Sequence, residues 1–354
     1  MTTPRLLEDI RNQPASLERV LDYQLREGRE GLAEAAAAIG KADRVVLAGM
    51  GGSLFACVPL QYLMASRGIA CEVIEAAELV HYRYAAAKGA AVILVSRSGE
   101  SVEIGKALPV IADRAAAIIG VTNEPDSTLG KHPRHSIFVN SLTDEMVAVQ
   151  TYTGTMLVLL LMGYMASGKR ESEWMGGVRA AIQALARALK RFEGESENWR
   201  PFLENARSMY LLARGPSRGS ALEGALLFNE VAKTPSTAMG AGDFRHGPVE
   251  IVDEGFRAIL FAPEGATRGL NIALAQDLRS FGGQVRVVGP AGGGADELLW
   301  ETPAVPEELA PLVEIAPVQF AALRMAEWHG IMPGRFRYVS QVTVSESGFK
   351  RPVS

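Results

Sequence analysis

A chain of 354 residues, 48% of them hydrophobic, holds enough apolar material for two cores. Its formal net charge of −4 offers no bulk field to favour nucleic acid or an anionic membrane, so an anionic ligand has to be held locally. The longest apolar run, Met156 to Met165, is about half a membrane span and reads as a core helix, and Arg5, Glu8 and Asp9 stand where the apolar stretch of a signal peptide would begin. Cys57 and Cys71 lie inside apolar stretches and read as buried thiols of a cytoplasmic protein.

In chain order, residues 1–28 read as a helical segment, with LLEDIRNQPASLERVL forming two short helices broken at Pro14. Near residue 45, RVVLAG predicts a strand that ends at glycines and leads into an apolar helix; AAVILVS from Ala90 and AAIIGVTN from Ala116 predict two more strands. The segment ESEWMGGVRAAIQALARALKRF, Glu171 to Phe192, repeats apolar residues at helical spacing and predicts a connecting helix. The plan then recurs. MYLLARGPSRGSALEGALLFNEVA, FRAILFA and QVRVVGP follow the first three strands at an offset near 165 residues. Two copies of one α/β unit, each a parallel sheet flanked by helices, are expected.

Between the second predicted strand of the first copy and the helix after it stands SRSGES, Ser96 to Ser101. The first amide N–H groups of a helix lack partners, and a phosphate there meets those donors and the positive end of the helix dipole. Ser96, Ser98 and Ser101 add hydroxyl donors, and Gly99 lets the backbone come close. A polar loop with an N-cap serine explains the same residues without a ligand. The counterpart in the second copy, APEGAT from Ala262 to Thr267, is poorer in hydroxyls. GMGGS adds a second glycine-rich turn, but it lacks the lysine of a P-loop and the full dinucleotide spacing, which disfavours nucleotide. In the second copy Glu223, Leu227 and Glu230 stand at i, i+4 and i+7 and share one face of a regular helix; a solvated face is the plain alternative. His246 follows in a turn-rich loop, DFRHGP. No metal and no cofactor are expected: the five histidines are scattered, and His132 and His135, in an expected loop, read as structural or solvent-facing.

Together these segments resemble the sugar isomerase (SIS) domain family, more narrowly the isomerase half of glucosamine-6-phosphate synthase and its stand-alone phosphosugar isomerase and deaminase relatives. GGS at Gly51 to Ser53 resembles a G-[TS]-S turn, SRSGES resembles S-Q-S-G-E-T, and ALEGALLFNE and DFRHGP resemble A-L-E-G-A-L-K-L-K-E and E-L-K-H-G-P. The closing VSQVTV resembles A-K-S-V-T-V. The resemblance implies two flavodoxin-like SIS domains: residues 29–170 binding phosphate and residues 199–335 carrying the acid/base groups. Residues 171–198 would form the linker helix and residues 336–354 a tail closing over the site. It implies that Gly51, Gly52, Ser53, Ser96, Arg97, Ser98 and Ser101 bind a sugar phosphate. It further implies that Glu230 moves a proton between C1 and C2, and that His246 opens the sugar ring from the partner subunit of a homodimer with shared active sites. Glu223, Ser340 and Gln341 are expected to touch substrate.

Three departures stand out: Arg97 replaces glutamine, Leu227 replaces the lysine before the catalytic glutamate, and Ser340, beside Gln341, replaces the lysine that forms a Schiff base. A proton shuttle needs neither lysine. The expected activity is therefore isomerisation of a hexose or 2-amino-hexose 6-phosphate, with deamination or deglycation open and independent of glutamine, since no glutamine-hydrolysing segment is recognisable. A non-catalytic sugar-phosphate sensor is the rival.

Overall fold

The computed structural model describes residues 5–294, 299–338, 340 and 342–348. The chain divides into two units. The first comprises Ala15–Trp174 with Phe336–Ser354, the second Met1–Pro14 with Met175–Arg335.

The first unit is built on β1 (Arg44–Gly49), β2 (Cys71–Glu75), β3 (Ala90–Val95), β4 (Ala117–Thr122) and β5 (His135–Phe138), all parallel in the order β2-β1-β3-β4-β5. The second holds β6 (Met209–Ala213), β7 (Ser236–Gly240), β8 (Arg257–Phe261), β9 (Gln284–Gly289) and β10 (Leu299–Glu301), parallel in the order β7-β6-β8-β9-β10. Counted within each unit the two orders are the same, and all five strand pairs keep an offset near 165 residues. The expected duplication therefore extends from three strands to the whole sheet.

Parallel strands are covered by helices on both faces and so read as unbroken apolar runs. All six residues of β3 and all five of β8 are buried. In the first unit Val46, Ala48, Val92 and Leu94 pack with Ile104, Ala107 and Ile111 of the helix Val102–Ile111. In the second, Leu212, Leu260 and Val287 pack with Ile272, Ala275 and Leu278 of the helix Arg268–Ser280. Each large aliphatic side chain so buried stabilises its unit by about 1.5–3 kcal/mol. The order places β1 beside β3, the point at which the chain reverses its direction of travel across the sheet. The loops leaving their C-terminal ends therefore face a common crevice.

Three expectations about local structure change. Pro14 does not break the first helix, which runs unbroken from Arg5 to Leu25. Proline cannot donate to the carbonyl four residues earlier. The Gln13 side chain supplies the missing donor, its Nε2 lying 3.1 Å from the Ile10 carbonyl oxygen. Cys57 is buried as expected, whereas Cys71 is only half-buried; burial pushes the Cys57 thiol up and the Cys71 thiol to about 12. His135 stands in no loop but opens β5. The apolar run at Met156 does lie in a buried helix, Gln150–Ala166. Among the described residues one stretch, Glu307–Trp328, is long and apolar enough to cross a membrane, and 94% of its apolar window is buried in the structure.

Candidate functional site

In the first unit the two glycine-rich loops meet. β1 ends at Gly49, where a β-carbon would come 2.8 Å from the Val95 carbonyl oxygen and 3.1 Å from the Leu54 nitrogen, so only glycine fits between the strands' ends. Gly51 then takes the left-handed conformation, φ +50°, that turns the chain into its helix. Ser53, on the following turn, accepts a hydrogen bond from the Arg97 N–H at 3.4 Å. That bond ties the loop after β1 to the loop after β3.

The loop after β3 is ordered largely by itself. The Ser96 hydroxyl stands 3.0 Å from the Ser101 hydroxyl and accepts from the Gly99 N–H at 3.1 Å. The Ser98 hydroxyl accepts from the Glu100 N–H at 3.3 Å. Gly99, φ +66°, has its missing side chain's place taken by Ser127. Glu100 turns away and accepts from the N–H and hydroxyl of Thr128. Ser101 has the extended backbone of an N-cap for the helix Val102–Ile111, while its hydroxyl makes no capping bond. The hydroxyls of Ser53, Ser96, Ser98 and Ser101 thus border a helix N-terminus. The Arg97 guanidinium donates to the Met146 carbonyl oxygen at 3.4 Å. It reaches the segment in which Asp144 caps the helix Gln150–Ala166 through the N–H groups of Val149, Gln150 and Thr151. Nothing in composition marked this segment: its carboxylate is taken up by those amides and by the Thr151 hydroxyl.

The C-terminal tail lies on the same loop. The N–H of Val102, first in its helix, donates to the Thr343 carbonyl oxygen at 3.0 Å. Glu346 joins Lys106 at 2.5 Å and His81 at 3.1 Å, and the Lys106 ammonium holds the Glu346 carboxyl below the ordinary carboxylate range. Ser340 is exposed and donates to the Val342 carbonyl oxygen. Gln341 lies outside the described residues.

In the second unit the expected helix face is altered. The helix Arg218–Leu227 passes into a wider π-turn, Phe228–Ala232, so Glu230 leaves the regular i, i+4, i+7 register. Glu223 is 1% exposed and Leu227 is buried, which removes the solvated-face reading, while Glu230 is half-buried. The turn ends at Lys233, left-handed at φ +55°, whose ammonium donates to the Glu230 carbonyl oxygen. A lysine thus lies within a turn of Glu230 after all, reached from the C-terminal side, where linear motif spacing gave no sign of it. The loop DFRHGP is pinned by Phe244, buried against Tyr210 and Phe256. His246 is exposed, its N–H bonded to the Asp243 carbonyl oxygen, with Gly247 at φ +120° behind it. Phe244 anchors the loop and leaves the imidazole outside.

A cleft of about 660 Å³ opens elsewhere on the first unit, at the N-terminal ends of β4 and β5, lined by Leu108, Ile118, His132 and His135 among others. The converging donors lie instead at the C-terminal ends of β1 and β3, where parallel sheets place ligands, and that end is the better candidate.

The SIS domain family matches residues 38–165 and 202–326, covering both sheets. Glutamine–fructose-6-phosphate aminotransferase (isomerizing) from Pyrococcus horikoshii is 25% identical over 348 residues, which is 96% of this chain but 57% of the relative. The chain therefore spans little more than half the length of that relative. Among solved structures, the C-terminal domain of glucosamine-fructose-6-phosphate aminotransferase from Francisella tularensis superposes with a TM-score of 0.85 at 18% identity, covering 93% of this chain and 97% of that one. Glucosamine-6-phosphate deaminase from Thermotoga maritima gives 0.76 at 19% identity, over 96% and 99%.

Proposed function

This chain belongs to the SIS domain family, and from that premise we propose that it is a phosphosugar isomerase acting on a hexose or 2-amino-hexose 6-phosphate without glutamine. The observation that carries the reading is the junction of the two glycine-rich loops through the Arg97 N–H and Ser53, with four serine hydroxyls around a helix N-terminus. Such an arrangement suits a dianionic phosphate. Glu230 takes the proton from C2 of the open-chain aldose; the electron pair left behind forms the C1–C2 double bond and O1 takes up a proton, giving the enediol; O2 then gives up its proton as Glu230 returns one to C1, giving the ketose. With a 2-amino sugar the same shift gives an imine at C2, which water hydrolyses to ketose phosphate and ammonia. His246 moves the proton that opens the ring. Positioned acid–base groups of this kind contribute about 10²–10⁴-fold each.

The test is a panel of hexose and amino-hexose 6-phosphates, assayed for ketose and ammonia with and without glutamine. Turnover of at least one member, unchanged by glutamine, is expected. A sensor is the second reading, favoured by Leu227 and Ser340 in place of the family lysines; binding with no turnover on any member would establish it in place of the enzyme. A homodimer with His246 delivered from the partner subunit belongs to the same proposal. Mixing Glu230→Gln with His246→Ala protein restores part of the activity if sites are shared, and none, with subunit exchange confirmed, if they are not.

A further inference from the structure

The two units repeat not only their strands but the count of residues around the crevice. Gly51 and Gly215 are each the second residue past their strand, with φ +50° and +59°. Ser53 and Ser217 are each the fourth past β1 and β6. Gly99 and Gly265 are each the fourth past β3 and β8, and Ser101 and Thr267 each stand just before a helix that begins on the seventh. The frame that borders the proposed phosphate position in the first unit is therefore present a second time, two of its hydroxyls included.

In the second unit that frame is occupied. A β-carbon at Gly265 would collide with the Glu307 carboxylate, and one at Gly215 would lie 3.7 Å from Glu307 Oε1, so this carboxylate sits against both glycines. The Glu314 carboxylate accepts from the hydroxyls of Ser217 at 3.1 Å and Ser220 at 2.7 Å. We infer that the second unit retains the anion pocket of the first and keeps it filled with its own carboxylates, Glu307 and Glu314, which stand where a phosphate would. The inference rests on the phosphate reading of the first unit's loops. It accounts for an anion pocket that looks lost in sequence but keeps its backbone: the donors have been satisfied from within. Burial, with Glu307 nearby, pushes the Glu314 carboxyl up to about 7. The first unit's counterpart stretch, after β5, places Asp144 on backbone amides instead.

The experiment is done in the full chain with the first pocket disabled by Ser98→Ala and Ser101→Ala, using inorganic phosphate as the probe and calorimetry as the readout. Adding Glu307→Ala, alone and with Glu314→Gln, should tighten phosphate binding by about tenfold or more, because a like charge at contact distance is removed. Ser217→Ala on top should abolish the gain. Folded Glu307→Ala and Glu307→Ala/Glu314→Gln proteins that bind phosphate no better than their parent overturn the inference. Should the double variant fail to fold, the single Glu307→Ala variant, at a half-buried turn residue, decides alone. The unmodified chain is titrated in parallel: absence of binding there counts against the first unit's phosphate loop and leaves the second unit's result to be read by itself.

Discussion

The two units share a sheet, a strand order and a residue count, yet one presents serine hydroxyls at its crevice and the other presents carboxylates. The backbone frame depends on apolar strands and on a few glycines whose conformation or clearance no other residue offers. The chemistry depends on side chains that the frame does not need. The second can change without the first, which is why one fold repeats with two different crevices.

The largest effect expected from this contrast is on stability. In the unfolded chain Glu314 titrates near its ordinary 4.5; in the fold it holds its proton to about 7. Between those values the folded state binds more protons than the unfolded state, so stability is full below pH 4.5 and falls as pH rises to 7. The loss is about 3 kcal/mol by linkage. Glu314→Gln cannot titrate and should remove that slope, so that denaturant midpoints at pH 5 and pH 8 converge. A slope that survives the substitution would assign the pH dependence to other groups. Next in size, Ser98→Ala removes one donor to a charged group and should weaken sugar-phosphate binding about 10–150-fold, whereas Thr267→Ala in the other unit should leave it alone. Calorimetry on the two variants separates them. Smallest is the pair Gly99→Ala and Gly265→Ala. At Gly99 the left-handed backbone alone costs about 1–2 kcal/mol with any β-carbon, so trimming Ser127 cannot rescue the variant. At Gly265 the obstacle is the Glu307 side chain, so Glu307→Ala should rescue it in thermal melts.

Much of this frame was legible in the sequence, since buried parallel strands read as apolar runs and the strand-to-helix turns show as glycines. The helix through Pro14 was not, because its continuation depends on the Gln13 side chain taking over the Ile10 carbonyl. Nor was the displacement of Glu230, since a π-turn changes hydrogen bonding without changing composition. The approach of Glu307 and Glu314 to loops some 40 to 100 residues away depends on tertiary packing, which no local pattern encodes.

The central proposal is that Glu230 moves a proton at C2 of a sugar phosphate. Exchange of the substrate's C2 hydrogen with deuterated water, followed by NMR across the hexose and amino-hexose 6-phosphate panel, tests it most directly. The unmodified protein should exchange at least one member, and Glu230→Gln, which keeps size and polarity but cannot take the proton, should bind that member and exchange it slower by about 10²–10⁴-fold. A Glu230→Gln protein that exchanges as fast as the parent, or a parent that binds the panel and exchanges nothing, would contradict the claim.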